Sequence, residues 1–281
     1  MNHNKIELPA AGIGADAVIN RLRELKAADA PWRNGRMFGY IYHPGDREAK
    51  VIEQAYHMFC NDNALNPSLF SSLRQLENET VAMVARLLHA GDDYAGNITT
   101  GGSESILLAV KTGRDHAKKH RPEISEPEMV APVTIHPAFS KAAAMTGVKV
   151  RYAPVGEDKR ADPAEMEKLI GRNTIMITAS APCFPYGVID PIYELGEIAV
   201  KHDLLFHVDS CMGGLMLPFL EDIGYDVPPF DFRVKGVTSI SADVHKYGYA
   251  PKGASVILYG SHELRKSQYF VMSSWPGGLY A

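Results

Sequence analysis

The chain has 281 residues, is 46% hydrophobic and carries a formal net charge of −4, so it can bury one large core or two small ones. No run of lysines and arginines is long enough to follow a phosphate backbone, which argues against a nucleic-acid partner. No stretch of about 18 apolar residues occurs, so we expect no membrane span.

The cysteines and the N-terminus favour a cytoplasmic location. Cys60, Cys183 and Cys211 form neither an even set nor a Cys-x-x-Cys pair, which is typical of free thiols in a reducing compartment. The polar start MNHNKIELPA lacks the apolar core of a signal peptide. We therefore expect a soluble cytoplasmic protein.

The first third of the chain is predicted to be mainly helical. Residues 15–26 carry apolar side chains at helical spacing, which predicts a helix that docks through that face. Residues 31–46, rich in glycine, proline and aromatic residues, are predicted to form an ordered loop. Two more helices are predicted at residues 49–59 and from residue 71 to Gly91. The large aromatic side chains of the loop are expected to be buried: Trp32, Phe38, Tyr40 and Tyr42.

From residue 97 onward, short apolar strands alternate with helices. This pattern predicts an α/β fold with a mostly parallel sheet and helices on both faces. We assign residues 1–95 to an N-terminal helical segment with a loop, and residues 96–281 to a large α/β domain. The strands are predicted at residues 129–136, 148–152, 174–181 and 204–209, with two more inside 237–259. The helices are predicted from about residue 103 to 119 and at residues 137–146, 163–170 and 191–202.

Gly101, Gly102 and Ser103 stand at the start of the long helix. The unpaired N–H groups and the dipole of a helix N-terminus favour an anion, and glycine lets a phosphate approach the backbone. An ordinary serine N-cap after a glycine turn would leave the same pattern, and no Gly-Lys-Ser/Thr of a Walker A loop follows. The turn is therefore a candidate phosphate site.

Asp209 closes an apolar strand. A carboxylate at this position is either a turn cap or a buried charge that can hold a heteroaromatic ring nitrogen protonated. Thirty-seven residues later, Lys246 lies between two hydrophobic strands in His-Lys-Tyr-Gly, and His136 ends the predicted strand 129–136. A phosphate turn, a flat ring partner, a carboxylate and an amine are the groups that pyridoxal phosphate requires.

A metal site is the main competing interpretation of the same region. A strand places residues 207, 209 and 211 on one face. Such a set mixes hard and soft ligands, which suits no common metal, so we predict no metal site. The possible ligands close in sequence are His202, Asp203, His207, Asp209 and Cys211.

Nearly the whole chain resembles the sphingosine-1-phosphate lyases, in the group II decarboxylase branch of the fold-type I pyridoxal-phosphate enzymes. The similar segments include DAPWRNGRMFGYIY, TTGGSESILLAVKTGRDHA and SADVHKYGYAPKG. The resemblance implies that Lys246 binds pyridoxal 5'-phosphate as a Schiff base, Asp209 contacts the pyridine nitrogen and His136 stacks on the ring. It implies a phosphate turn at Gly102 and Ser103, with His245 and Ser180 as weaker cofactor contacts. It also implies that Tyr42 and Lys252 handle the substrate.

The implied reaction is the cleavage of a phosphorylated sphingoid base between C2 and C3, which releases a long-chain aldehyde and phosphoethanolamine. The base that removes the 3-hydroxyl proton is the cofactor phosphate, Tyr42 or Lys252, and the sequence does not choose among them. The family's active sites are completed across a homodimer. Two alternatives stay open: an amino-acid decarboxylase, and a chain that binds the cofactor without turnover.

Three residues depart from the family pattern: Ser210 replaces an alanine, Asn66 a histidine and Phe38 a small residue. These departures affect substrate contacts more than cofactor binding. The family also continues past the WPGGLY motif, so the resemblance implies that a C-terminal domain is missing.

Overall fold

The computed structural model describes residues 8–65, 68–275 and 277–281. These residues form two compact units, one that ends at Ile41 and one that spans Tyr42–Ala281. The domain boundary that we expect near residue 95 stays a prediction.

The first unit contains helix α1 (Ala15–Ala27) and a 3₁₀ turn (Trp32–Asn34). The helix forms where the spacing predicts it, but none of its residues is buried. Trp32 is half-buried and the Arg33 guanidinium stacks on its ring, 4.7 Å from the centroid. The prediction that Phe38 and Tyr40 are buried is wrong, since they are 83% and 68% exposed.

The second unit begins with helices α2 (Asp46–Phe59) and α3 (Ser71–Leu87). Its further helices are α4 (Gly102–His120), α5 (Ala138–Thr146), α6 (Pro163–Lys168), α7 (Ile192–Lys201), α8 (Leu217–Asp222) and α9 (His262–Lys266). Its strands are β1 (Ala95–Thr99), β2 (Glu128–Pro132), β3 (Lys149–Ala153), β4 (Thr174–Ser180), β5 (Leu205–Asp209), β6 (Ser239–Ala242), β7 (Ser255–Tyr259), β8 (Phe270–Val271) and β9 (Leu279–Tyr280).

In the described chain, β1 to β7 form one sheet in the order β1-β7-β6-β5-β4-β2-β3. The pairs from β3 through β6 are parallel, whereas β7 runs antiparallel to both of its neighbours. The mostly parallel sheet is thus confirmed. Strands β8 and β9 form a separate small hairpin.

Helices cover both faces of this sheet, as predicted. On one face, α4 and α5 pack against β2 and β4 through residues such as Val110, Phe139 and Met176. On the other face, α3, α6, α7 and α8 pack against the strands through residues such as Val84, Leu195 and Phe206. Cover on both sides leaves every residue of the central strands β4 and β6 buried.

Strand β2 is shorter than the predicted strand 129–136. It ends at Pro132, and the N–H of Ile135 donates to the Pro132 carbonyl at 3.1 Å, which closes a turn directly after the strand. His136 therefore lies in the connection to α5 and not at a strand end, which corrects that prediction.

Within the described residues, no helix is both long enough and apolar enough to cross a bilayer.

Candidate active site

The carboxyl ends of three neighbouring parallel strands carry the predicted chemistry. Asp209 ends β5, opposite Ser180 at the end of β4 and opposite Ser241 in β6. Parallel strands present their carboxyl ends at one edge of the sheet, which is where α/β proteins bind ligands. The sheet topology thus brings together side chains that are far apart in sequence.

Lys246 contacts an acidic residue that we did not single out from the sequence. Its Nζ lies 2.9 Å from Oδ2 of Asp243, which is only 3% exposed. The other carboxylate oxygen, Oδ1, is buried and has no hydrogen-bond partner among the described residues. The signal was present, because Asp243 directly follows a strand as an acidic residue and precedes Lys246 by three residues.

The N-terminus of α4 packs directly over this ion pair. A Cβ on Gly102 would lie 2.7 Å from Sγ of Cys211 and 3.0 Å from both carboxylate oxygens of Asp243, so a larger residue does not fit. Gly101 has φ +151°, which favours glycine, and a Cβ there would lie 3.5 Å from Cε1 of His245. Ser103 is exposed beside them. This turn provides backbone N–H groups where glycine leaves room for an anion.

Hydroxyl groups beneath α4 hold that turn in place. The Oγ of Ser105 lies 2.7 Å from Oγ1 of Thr99 and 2.9 Å from Oγ of Ser255. Above them, Glu104 accepts hydrogen bonds from the N–H and the hydroxyl of Thr100, both at 2.6 Å. The turn is therefore anchored on β1 and β7 as well as on its own helix.

Asp209 is held by the turn that follows β5 and by β6. Its Oδ1 accepts the Cys211 N–H at 3.1 Å and the Ser241 hydroxyl at 3.4 Å. Ser241 also lies 3.2 Å from Nε2 of His207, whose Nδ1 lies 2.9 Å from Oγ of Ser239.

Burial lowers the pKa of His207 to about 3, so its ring is neutral at physiological pH. Both ring nitrogens already have serine partners, so the His-Asp-Cys metal set is not supported. In the described part of the chain, no group of three or more histidine, cysteine or acidic side chains could hold a metal ion.

We call Gly102, Asp209, Cys211, Ser241, Asp243 and Lys246 the inner cluster. Burial alone would lower the pKa of Lys246, but the charge of Asp243, followed by Cys211, the Asp243 hydrogen bond and Asp209, raises it above its ordinary value. Burial, together with Asp209 and Asp243, raises the pKa of the Cys211 thiol. The inner cluster thus favours an ammonium on Lys246 and a protonated thiol on Cys211.

A second group, which we call the outer cluster, consists of Tyr42, Met212, Tyr247 and Lys252. The Nζ of Lys252 lies 4.6 Å from the centroid of the Tyr42 ring, and Tyr247 meets that ring edge-on at 5.1 Å. The Tyr42 hydroxyl lies 3.3 Å from Sδ of Met212. Two residues 210 positions apart in sequence, Tyr42 and Lys252, are thereby brought into contact.

The pKa values of the outer cluster move in opposite directions. Burial raises the pKa of Tyr42, although Lys246 lowers it in part. Burial and then the charge of Lys246 lower the pKa of Lys252. These shifts make loss of a proton harder for Tyr42 and easier for Lys252.

His245 lies between the two clusters. Its Nε2 is 3.6 Å from Oδ2 of Asp243, its Nδ1 accepts the Ala254 N–H at 3.1 Å, and its carbonyl oxygen is 3.4 Å from Nζ of Lys252. Burial lowers the pKa of His245, while Asp243 opposes that shift.

The structure does not join two of the predicted cofactor contacts to the inner cluster. His136 is exposed, and its Nδ1 accepts the N–H of Ala138 at 3.1 Å. Ser180 is buried opposite Asp209, and its backbone N–H donates to Oδ2 of Asp190 at 2.8 Å. Their roles toward a cofactor stay predictions.

The family departures differ in their structural consequences. Ser210 is fully buried and its hydroxyl donates to the Ala181 carbonyl at 2.9 Å, so it has a structural partner. Phe38 is exposed in the first unit, and Asn66 lies outside the described residues.

The residues present fit pyridoxal phosphate. A glycine turn without space for side chains lies at a helix N-terminus, with a half-buried lysine beneath it and a strand-end aspartate nearby. The unpartnered Oδ1 of Asp243 marks a polar position that the protein itself leaves unsatisfied. Lys246 would hold the aldehyde end, the α4 turn the phosphate and Asp209 the ring nitrogen.

Comparison with known proteins supports this assignment. The profile described as "Pyridoxal-dependent decarboxylase conserved domain" matches residues 52–273. The chain is 48% identical to a sphingosine-1-phosphate lyase of Oryza sativa, covering 98% of this chain and 52% of that protein. It is 46% identical to sphingosine-1-phosphate lyase 1 of Rattus norvegicus, covering 98% and 48%.

Solved structures show the same relationship. A sphingosine-1-phosphate lyase of Burkholderia pseudomallei superposes with a TM-score of 0.93 at 40% identity, covering 98% of this chain and 65% of that chain. A glutamate decarboxylase of Lactobacillus brevis, with a TM-score of 0.81 at 21% identity, shows the fold alone. The chain spans about half the length of the curated relatives it matches. The chain belongs to the pyridoxal-dependent decarboxylase family, and its resemblance to the sphingosine-1-phosphate lyases is confirmed.

Proposed function

We propose that this chain carries the cofactor-binding site of a pyridoxal-phosphate-dependent lyase that cleaves phosphorylated sphingoid bases between C2 and C3. The products are a long-chain aldehyde and phosphoethanolamine. The observation that carries the proposal is the ion pair of Lys246 with the buried Asp243 beneath the glycine turn of α4. The similarity to sphingosine-1-phosphate lyases supports the choice of substrate.

The inner cluster binds and orients the cofactor. When bound, pyridoxal phosphate supplies an electron sink for the bond that breaks. Asp209, held through Oδ1 by Cys211 and Ser241, contacts the ring nitrogen. The N-terminal turn of α4 binds the phosphate, and Lys246 provides the amine at Nζ.

The outer cluster handles the substrate. A 3-hydroxyl proton must be removed before the carbon–carbon bond breaks, and the lowered pKa of Lys252 suits it to that task. Its position against the ring of Tyr42 keeps the amine near the site, although the side chain is exposed. In the ammonium form, the same group offers a charge for the substrate phosphate.

We further propose that the protein is a cytoplasmic homodimer with active sites at the subunit interface. The free thiols of Cys60, Cys183 and Cys211 suit a reducing compartment. Apolar side chains of α2 are exposed in the single chain, namely Val51, Tyr56 and Met58, and suit a surface that a second copy covers. Light scattering measures the mass in solution, and a monomer at micromolar concentration would contradict the dimer.

Spectroscopy tests the cofactor site. Purified protein mixed with pyridoxal phosphate should gain the visible absorption band of the protein-bound cofactor, and Lys246→Ala should lose it while remaining folded by circular dichroism. A folded wild-type protein without the band would contradict the proposal. An assay that measures the release of aldehyde and of carbon dioxide then distinguishes the lyase, which releases aldehyde, from an amino-acid decarboxylase, which releases carbon dioxide.

A further inference from the structure

The buried acid beside Lys246 is unexpected at a site that binds an anion. Both oxygens of Asp243 would lie 3.0 Å from a Cβ on Gly102, at the helix N-terminus that we assign to the phosphate. A second negative group there repels the first unless a positive charge or a proton neutralises it. In the structure, the ammonium of Lys246 provides that charge at 2.9 Å.

When Lys246 reacts as an amine, it loses the positive charge that balances Asp243. An amine attacks an aldehyde only after the ammonium has lost a proton. Once Nζ is neutral, Asp243 would keep a buried negative charge without a partner, which is energetically costly. Transfer of the Nζ proton to Asp243 removes the unpaired charge and frees the amine in one step.

We propose that Asp243 is the positioning residue of Lys246: its carboxylate holds the ammonium at Oδ2 and accepts one proton from Nζ when the amine reacts. The N–H bond of the ammonium breaks and an O–H bond forms on Oδ2, so one ammonium and one carboxylate become one amine and one carboxylic acid. Proton transfer rests on the proposed function, which supplies the aldehyde that the amine attacks. The ion pair of Lys246 and Asp243 is independent of that function.

Asp243 is the nearest counter-charge among the groups that act on Lys246. Asp209 ends β5 and Cys211 lies in the turn after it, and the remaining groups come from the segments beside β6, β7 and α2. The titratable groups around Nζ are Tyr42, Asp209, Cys211, Asp243, His245 and Lys252. Only Asp243 also makes a direct salt bridge to Lys246 in the described chain.

Competitive labelling with acetic anhydride tests the ion pair without the cofactor. Protein prepared without pyridoxal phosphate is labelled at a series of pH values, and mass spectrometry follows acetylation of the Lys246 peptide. Loss of a counter-charge within 4 Å should lower the labelling midpoint of Lys246 by about one pH unit or more in Asp243→Asn. Asp243→Ala, which cannot overpack against Gly102, should shift it in the same direction.

The exposed carboxylate of Asp226 supplies a matched control, since Asp226→Asn removes the same charge from the surface. An unchanged Lys246 midpoint in both Asp243 variants, or an equal shift in the control, would overturn the proposal.

The rate at which the cofactor band appears tests proton transfer. Its pH midpoint should fall in Asp243→Asn as the labelling midpoint does, and a wild-type pH profile in that variant would refute proton acceptance by Asp243. If wild-type protein never forms the band, the proposed function fails, while the labelling experiment still decides whether Asp243 holds Lys246.

Discussion

The inner and outer clusters differ in how they are held. The inner cluster lies where β5, β6 and α4 meet, and its acidic groups Asp209 and Asp243 are 7% and 3% exposed. The outer cluster comes from three connecting segments, and Lys252 is exposed. Buried groups keep a fixed geometry, whereas exposed loop residues can adjust to a substrate. The difference suits a permanent cofactor on the inside and a transient substrate on the outside.

The comparison predicts that activity and cofactor binding can be separated in the outer cluster. Lys252→Met should reduce aldehyde release by about 100-fold or more, because general-base catalysis contributes at least that much. Cofactor affinity, measured by absorbance titration, should stay near the wild-type value. Since burial and then Lys246 lower the pKa of Lys252, the wild-type rate should rise with pH through a pKa below that of a free lysine, and the variant should lack this rise.

Lys118→Met serves as the control, because Lys118 is an exposed lysine of α4. Equal losses of cofactor affinity and activity in Lys252→Met would mean that the two clusters are not separate in function.

A substitution in the inner cluster should reduce cofactor affinity. In Gly102→Ala, the new Cβ would lie 2.7 Å from Sγ of Cys211. Overpacking of this kind costs about 1–3 kcal/mol, so we expect cofactor affinity to fall by roughly tenfold or more. Gly171→Ala is the matched control, since a Cβ there meets nothing within 4 Å. Unchanged cofactor affinity in Gly102→Ala would remove the α4 turn from the binding site.

His207, which lies beside the inner cluster, makes the free energy of unfolding of the protein depend on pH. Its folded-state pKa of about 3 lies below the ordinary value of 6.5, so the unfolded chain binds a proton first as the pH falls. Stability should be fully present above pH 6.5 and decrease toward pH 3 by up to about 1.4 kcal/mol per pH unit from this group. Urea unfolding at several pH values measures the slope.

His207→Gln should lose that part of the slope, while His57→Gln, at an exposed position of α2, should keep it. The same slope in His207→Gln as in the wild type would show that other groups control the acid response.

The smallest effect is expected at Ser210, beside the inner cluster. Ser210→Ala removes the hydroxyl that donates to the Ala181 carbonyl at 2.9 Å, and should lower the free energy of unfolding by about 1 kcal/mol. Because this contact is structural, cofactor affinity should change little. Ser125→Ala, at an exposed serine, is the control. A large loss of cofactor binding in Ser210→Ala would place Ser210 in the site itself.

Much of the inner cluster could be predicted from the sequence. Strands ending at Asp209 and a helix starting at Gly102 are local patterns, and parallel strand ends meet at one edge by geometry. The sequence analysis did not consider the acidic partner Asp243, and the 2.9 Å contact shows its relation to Lys246. His136 was placed at a strand end because apolar residues continue past Pro132, although the chain turns there.

The sequence by itself determined the α/β fold, its mostly parallel sheet and the types of chemical group at the strand ends. These follow from hydrophobic periodicity and glycine positions, which act over a few residues. The tertiary structure alone decided that Lys252 lies against Tyr42, that Asp243 neutralises Lys246 and that Cys211 packs beneath Gly102. Such contacts depend on how distant segments pack and on the burial that shifts their pKa values, and neither can be read from local spacing.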